Sequence, residues 1–185
     1  TEVSQFSKSD RFMFWTDWGS SPKIERSSLS GSRRIAIVTS NIQWPNGIDL
    51  DKGNKRIYWV DARLDKVESV DYNGNNRTVI LHYIGLHPFG VALVPPFLFF
   101  TDWTTLKEFH QLDAITGEVL RSYSINGGRP MGIVPTTAHD NPQVFHTLRS
   151  VANYAIPTEV FYRMHQGSCL GTVFDEGKGK FRSVE

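Results

Sequence analysis

The 185-residue sequence predicts an all-β protein of the β-propeller architecture, with only about three blades in this chain. A run of two bulky residues, two aromatic residues, a small residue and aspartate occurs three times, with its central aromatic residues 44 and 41 positions apart. A Pro-x-Gly tripeptide and a turn glycine advance by 42 or 43 positions. A period in the low forties with several short strands per unit is typical of a propeller. The three sets are Trp15, Trp59 and Phe100; Pro45–Gly47, Pro88–Gly90 and Pro130–Gly132; and Gly31, Gly74 and Gly117.

The first predicted blade covers residues 12–39. Residues 1–11 are polar and lack the Pro-x-Gly tripeptide, so they are predicted to be an irregular N-terminal segment. Within the blade, Ser30–Ser32 is predicted to be the turn of a hairpin. The predicted strands are Phe12–Asp17, Ile24–Leu29 and Arg34–Thr39.

The second and third predicted blades, residues 45–81 and 88–124, contain four strands each. The run Ile57–Val60 is apolar at successive positions, which favours a strand covered on both faces by neighbouring blades. Pro95-Pro96 fits only a turn, because proline donates no ladder hydrogen bond. The predicted strands are Ile48–Asp51, Arg56–Asp61, Val67–Asp71 and Arg77–Leu81, followed by Gly90–Val94, Phe97–Asp102, Glu108–Asp113 and Val119–Tyr123.

A single predicted strand, within residues 130–134, follows the third blade. Residues 136–185 are left unassigned because the repeat ends there. This division gives the first blade no innermost strand and leaves the last strand without a blade. A piece of a longer chain is one interpretation. The other is a homodimer in which Gly132–Val134 of one chain completes Phe12–Thr39 of its partner.

The composition argues against two classes of binding partner and limits the covalent modifications that the chain can carry. The formal net charge is +1, and the Lys and Arg residues are scattered, which argues against nucleic acid and anionic membrane surfaces. Cys169 is the only cysteine, so the chain can form no internal disulfide. Asn76-Arg77-Thr78 is an acceptor tripeptide for N-linked glycosylation that follows a predicted turn. Neither a cofactor nor a metal is predicted.

No catalytic motif appears in the sequence, which lacks Gly-x-Ser-x-Gly, His-Glu-x-x-His and Gly-x-x-x-x-Gly-Lys. The chain is therefore predicted not to be an enzyme. A calcium-dependent propeller hydrolase is the least favoured alternative, because it needs several converging carboxylates and amides. Only Asn46 and Asp49 are obvious candidates for such a site.

Several motifs together carry a family resemblance over residues 9–135. They resemble the YWTD (class B) repeats of the low-density lipoprotein receptor family, which includes the LDL receptor-related proteins. The motifs are Phe-Trp-Thr-Asp-Trp-Gly at 14–19, Pro-Lys-Ile-Glu-Arg at 22–26, Gln-Trp-Pro-Asn-Gly-Ile at 43–48, Tyr-Trp-Val-Asp-Ala at 58–62 and His-Pro-Phe-Gly at 87–90.

The resemblance implies a six-bladed propeller in the extracellular part of a single-pass membrane protein. Such a protein is an endocytic or signalling receptor that binds protein or lipoprotein ligands and meets the membrane only through the full-length receptor. A matrix scaffold of the nidogen type is the alternative. The sequence departs from the family pattern in two ways. A six-bladed ring needs twice the number of strands predicted here. The EGF-like module that usually follows the propeller has six cysteines, whereas this chain has only Cys169.

The repeated motif supplies the predicted structural residues. A carboxylate at a strand end can accept backbone N–H groups and fix a turn, and large aromatic side chains are suited to packing between blades. The residues in these two roles are Asp17, Asp61 and Asp102, and Trp15, Trp59 and Phe100.

The resemblance also nominates a ligand-binding set on the top face, where aromatic residues and an amide would hold a ligand segment. The alternative interpretation is that these aromatic side chains only cover the rim of the core. His82 and His87 are candidate pH sensors, because histidine titrates between pH 5 and 8. The nominated ligand-binding residues are Trp18, Trp44, Asn46, Phe89 and Trp103.

Overall fold

The computed structural model describes residues 4–104, 108–124, 130–136, 159–162, 172–175 and 180–183. Within these residues sixteen strands form four antiparallel, four-stranded sheets, and each sheet uses four consecutive strands in sequence order. We call the sheets blades 1 to 4, because the first strands of successive sheets pack beside one another.

Each blade takes its four strands in chain order. Blade 1 contains β1 (Ser4–Ser7), β2 (Phe12–Asp17), β3 (Lys23–Ser28) and β4 (Ile35–Val38). Blade 2 contains β5 (Pro45–Asp51), β6 (Arg56–Asp61), β7 (Lys66–Asp71) and β8 (Thr78–His82). Blade 3 contains β9 (Pro88–Val94), β10 (Phe97–Asp102), β11 (Glu108–Asp113) and β12 (Val119–Ser124). Blade 4 contains β13 (Ile133–Thr136), β14 (Glu159–Tyr162), β15 (Thr172–Asp175) and β16 (Lys180–Ser183).

The strands predicted between residues 12 and 124 are present, with ends that differ by at most three residues. The largest difference is at the start of β5, which begins at Pro45 because the Pro-x-Gly tripeptide is itself part of the strand. Pro45 lies opposite Asp61 in the ladder, and the register shifts between Pro45 and Ile48. The tripeptide therefore marks an irregular strand start, not the turn before it.

The prediction that residues 1–11 are irregular is wrong for Ser4–Ser7. Ser4–Ser7 forms β1 and pairs with β2, with Ser7 opposite Phe12. This strand carries no Pro-x-Gly tripeptide, and its pairing uses backbone groups that every residue except proline has. Blade 1 thus has its own innermost strand. The proposed exchange, in which Gly132–Val134 of a partner fills that position, loses its premise.

The C-terminal residues that the sequence left unassigned contribute three further strands. β13 pairs with β14, where Ile133 lies opposite Tyr162, and β15 pairs with β16. The predicted single strand within 130–134 therefore belongs to a sheet of four. Residues 159–183 show no repeat of the aromatic and aspartate motif, which is why the sequence pattern did not reveal them.

The hydrophobic cores lie between the blades. Trp59 is 0% exposed and packs with Phe14 between blades 2 and 1. Phe100, also fully buried, lies in the cluster between blades 3 and 2, together with Val60 of blade 2. A smaller cluster that includes Phe109 and Ile133 joins blades 3 and 4. Each of these apolar faces is thus covered by the neighbouring sheet.

An arginine that pairs with a buried glutamate and lies over a tryptophan ring recurs in blades 1 and 2. The arginine donates from Nε to the glutamate Oε1 at 2.8 Å in blade 1 and 3.0 Å in blade 2. Its guanidinium carbon lies 5.1 and 5.2 Å from the centre of the tryptophan ring, which is a cation–π distance. In blade 3 a stacked phenylalanine and histidine stand at the matching positions, with ring centres 4.8 Å apart. The residues are Trp15, Glu25 and Arg34; Trp59, Glu68 and Arg77; and Phe100 and His110.

The glycine of the Pro-x-Gly tripeptide allows successive innermost strands to approach closely. A Cβ atom at Gly47 would lie 2.7 Å from the backbone nitrogen of Val91, and one at Gly90 would lie 2.6 Å from the carbonyl oxygen of Met131. A threonine hydroxyl bridges the junction between blades 1 and 2, where Thr16 Oγ1 donates to the carbonyl of Asn46 at 2.8 Å. The tripeptide therefore positions the beginning of each blade against the next.

Candidate functional site

The candidate site lies at one end of the blades. Because each sheet is an antiparallel meander, β5 and β9 begin at the same end at which β2, β6 and β10 finish. We call this end the top face. It carries the loops that lead into β5 and β9 and the loops that follow β2, β6 and β10.

Asp61 holds two of these loops together. Its carboxylate accepts the backbone N–H groups of Gln43 at 2.7 Å and Trp44 at 3.1 Å, in the loop before β5. It also accepts those of Arg63 and Leu64, both at 3.0 Å, in the loop after β6. The side chain is fully buried. Four N–H groups on one carboxylate fix the backbone beneath the top face.

Asp102 has the matching position in blade 3. Its Oδ1 accepts the N–H groups of His87 at 2.9 Å and Thr104 at 3.0 Å, and Nε2 of His110 lies 3.7 Å from Oδ2. Burial raises the pKa of the Asp102 carboxyl group, but the contacts with His110, His87 and Thr104 outweigh burial and hold that pKa below its ordinary value. The carboxylate is therefore the stable form within the fold.

Asp17 supports its loop with fewer contacts. Its Oδ1 accepts the N–H of Gly19 at 3.0 Å, and its Oδ2 lies 3.2 Å from Nζ of Lys23. The Gly19 N–H and Lys23 together lower the pKa of the Asp17 carboxyl group. All three motif aspartates thus accept a backbone N–H in the loop that follows their strand.

Four aromatic side chains form a continuous row above these aspartates, which we call the aromatic track. Trp44 contacts His87 edge to face with ring centres 6.4 Å apart, and His87 stacks on Trp103 at 6.1 Å. Phe89 stacks on Trp103 at 4.3 Å with the ring planes 5° apart. The Trp103 indole N–H donates to the carbonyl of Pro130. The track crosses from blade 2 to blade 3, and Trp44 at its end is 44% exposed.

The structure therefore brings together three nominated residues, Trp44, Phe89 and Trp103. Phe89 contacts Trp103 directly, and His87 connects Trp103 to Trp44. Sequence reasoning assigned His87 only to pH sensing and missed it as a member of the track. The signal was available, since His87 precedes Pro88 as Trp44 precedes Pro45. Arg63 was also missed: its guanidinium carbon lies 5.7 Å from the Trp44 ring.

Asn46 lies beside the track, but part of its amide is already used. Its Nδ2 donates to the carbonyl of Pro88 at 3.2 Å, which ties the start of β5 to the start of β9. The side chain is half-buried. The Oδ1 atom of the same amide is an acceptor of the kind that a ligand N–H group can use.

Trp18 and His82 stand apart from the track. Trp18 is 40% exposed in the loop after β2, and among the described residues no ring contact connects it to Trp44 or Trp103. His82 is exposed at the end of β8, opposite Lys66 in the ladder. Blade 2 lies between the blades that carry Trp18 and Trp103, and it has Ala62 at the matching position.

Asn46 and Asp49, the two residues considered for a hydrolase site, both make hydrogen bonds within the fold. Asp49 accepts the N–H of Leu93 at 2.7 Å, across the junction between β5 and β9, and the N–H of Leu50 at 2.8 Å. Burial raises the pKa of the Asp49 carboxyl group. Within the described part of the chain, no group of three or more His, Cys, Asp or Glu residues is arranged to hold a metal ion. No described helix is long and apolar enough to cross a membrane.

The sequence matches the family "Low-density lipoprotein receptor repeat class B" at residues 11–51 and 55–93. It is 46% identical over 106 residues to "Vitellogenin receptor Yl" of Drosophila melanogaster, which covers 57% of this chain and 5% of that protein. It is 35% identical over 121 residues to "Vitellogenin receptor" of Solenopsis invicta, which covers 65% of this chain and 7% of that receptor. The chain thus spans a small part of these relatives' length.

Two solved structures share the fold. The structure described as a nidogen/laminin complex is similar with a TM-score of 0.54 and 19% identity, over 96% of this chain and 76% of that chain. Virginiamycin B lyase from Staphylococcus aureus gives a TM-score of 0.66 at 12% identity, over 100% of this chain and 59% of the lyase. Both are β-propellers, so the predicted fold class is confirmed. At these identities the similarity concerns the fold alone.

Proposed function

We propose that this chain, which carries class B (YWTD) repeats of the low-density lipoprotein receptor type at residues 11–51 and 55–93, is a ligand-binding segment of an extracellular receptor propeller. Its relatives are receptors. The proposed ligand is a protein or lipoprotein, and vitellogenin is the first candidate, because two relatives are named as its receptors. The proposed role is recognition without catalysis.

The observation that carries this proposal is the aromatic track. Its rings are stacked at 4.3 and 6.1 Å and rest on a backbone fixed by Asp61 and Asp102, so little conformational freedom is lost when a ligand binds. Trp44 presents exposed apolar area, and Asn46 and Arg63 beside it add an amide and a cation. Aromatic and arginine side chains on rigid support are typical of interface hot spots.

Replacement of Trp44 by alanine tests the proposal. We expect at least a tenfold weaker binding of vitellogenin purified from Solenopsis invicta, measured by surface plasmon resonance on the immobilised 185-residue chain, because a hot-spot truncation costs about 2 kcal/mol or more. Ile115→Ala is the control: Ile115 is 82% exposed in the turn between β11 and β12, at the opposite end of blade 3. Equal affinities for the two variants, or absent binding by the wild-type chain, would contradict the proposal.

An acid-release role is proposed for His87 in preference to His82, since only His87 lies in the aromatic track. His87 and Arg63 both contact the ring of Trp44, and the carboxylate of Asp102 accepts the backbone N–H of His87. A positive charge on His87 would bring a second cation to a face that already holds Arg63. We expect faster dissociation of vitellogenin at pH 5.5 than at pH 7.4, and a smaller acceleration in His87→Gln. An identical acceleration in both proteins would exclude His87 as the sensor.

A further inference from the structure

We infer that Asn76 is an N-linked glycosylation site, at the end of blade 2 opposite the aromatic track. Asn76-Arg77-Thr78 is the only Asn-x-Ser/Thr tripeptide without a central proline in the 185-residue sequence. It lies where the turn between β7 and β8 leads into β8. The inference does not depend on which ligand the top face binds.

The local conformation exposes the two residues that the modification needs. Asn76 has a left-handed backbone with φ of 53°, and both Asn76 and Thr78 are exposed. The Asn76 Nδ2 donates to Oδ2 of Asp71 at 3.3 Å. Glycosylation replaces one of the two amide hydrogens, so the remaining hydrogen can keep this contact. The folded turn therefore accommodates a glycan without the loss of a hydrogen bond.

The middle residue of the tripeptide points the other way and fixes the backbone. Arg77 pairs with Glu68 and donates from Nη1 to the carbonyl of Ser40 at 2.6 Å and from Nη2 to that of Asn41 at 2.8 Å. Arg56 donates to the carbonyl of Asn76 itself at 2.9 Å. Asn76 and Thr78 consequently stand on the solvent side of a segment that is held from beneath.

The position of the turn sets where the glycan would lie. β7 begins at the top face, after the loop held by Asp61, and ends at Asp71, beside the turn that contains Asn76. Six residues of strand separate the two ends, which is about 20 Å at the usual rise per residue. A glycan on Asn76 would shield the lower end of blade 2 and leave the aromatic track open.

Glycosidase digestion of secreted protein tests the inference. The full 185-residue chain, placed behind a secretion signal and expressed in a human cell line, is expected to show one shift in gel mobility after treatment with peptide-N-glycosidase F. Mass spectrometry should then find Asp in place of Asn76. Thr78→Ser keeps the acceptor and should keep the shift, whereas Thr78→Ala and Asn76→Gln should abolish it.

The paired variants separate modification from misfolding. Thr78→Ser and Thr78→Ala both shorten the same exposed side chain, yet only serine keeps the hydroxyl group that the acceptor tripeptide requires. Two results would overturn the inference. One is a wild-type chain whose mobility is unchanged by the glycosidase. The other is a shift that persists in Asn76→Gln.

Discussion

Single carboxylates determine the backbone of the top face. Asp61 and Asp102 are buried where strands β6 and β10 end, and each connects the loop before its blade to the loop after its strand. Asp49 is different, because it bridges β5 and β9 and its pKa is raised by burial. The pKa values of Asp102 and Asp49 are therefore shifted in opposite directions, because the hydrogen bonds of Asp102 outweigh its burial and those of Asp49 do not.

Asp102→Asn is expected to lower the free energy of unfolding by about 1–3 kcal/mol at pH 7, because a neutral amide cannot replace the charge-assisted hydrogen bonds of the carboxylate. The folded pKa of Asp102 lies below its ordinary value. Its contribution is therefore present above the unfolded pKa of about 3.9 and is lost as the pH falls through the folded pKa. Urea unfolding of both proteins at pH 7 and pH 3 should show a difference that shrinks at pH 3. A difference of equal size at both pH values would contradict this assignment.

At the scale of strands and blades, the junctions depend on close approach between innermost strands. Gly47 and Gly90 each meet the backbone of the next blade, whereas a Cβ atom at Gly132, the matching position in blade 4, would meet no described atom within 4 Å. The three glycines occur in the same tripeptide at regular spacing. Their structural requirements nevertheless differ, because only the first two have a following blade among the described residues.

Gly90→Ala is therefore expected to destabilise the fold by about 1–3 kcal/mol, the usual cost of overpacking. The contact at 2.6 Å is with a backbone carbonyl, which cannot move as a flexible side chain would. Gly132→Ala is the matched control and should change the midpoint of thermal unfolding very little. Circular dichroism melts of both variants check the expectation. Equal midpoints for Gly90→Ala and the wild-type chain would show that the junction relaxes to admit the methyl group.

The sequence predicted the elements that the repeat marks and missed those that it does not. The strands between residues 12 and 124 follow from regular aromatic, aspartate and glycine positions. β1 was missed because Ser4–Ser7 has no such marker, and Glu159–Tyr162 was missed because its segment does not alternate. In the candidate site, the family resemblance nominated Trp44, Phe89 and Trp103, which the structure places close together. The stacking of His87 between two of them depends on the distance between blades, which a single sequence does not contain.

At the scale of the whole molecule, the hydrophobic clusters lie between the blades, whereas the candidate site lies at the top face. The buried clusters lie between neighbouring blades, so a blade separated from its neighbours would expose apolar residues such as Trp59 and Phe100. The aromatic track lies across the junction of blades 2 and 3 and therefore exists only when these blades pack together. Folding of the core and formation of the candidate site are consequently one event.

The four contacts of Asp61 all involve backbone N–H groups. Every amino acid except proline offers the same donor, so the side chains at positions 43, 44, 63 and 64 can be exchanged without loss of the carboxylate's support. The backbone of the two loops that Asp61 supports therefore does not depend on the side chains that these loops carry. Gene duplication followed by point substitutions in these loops could give related propellers different ligands while their backbones stay alike.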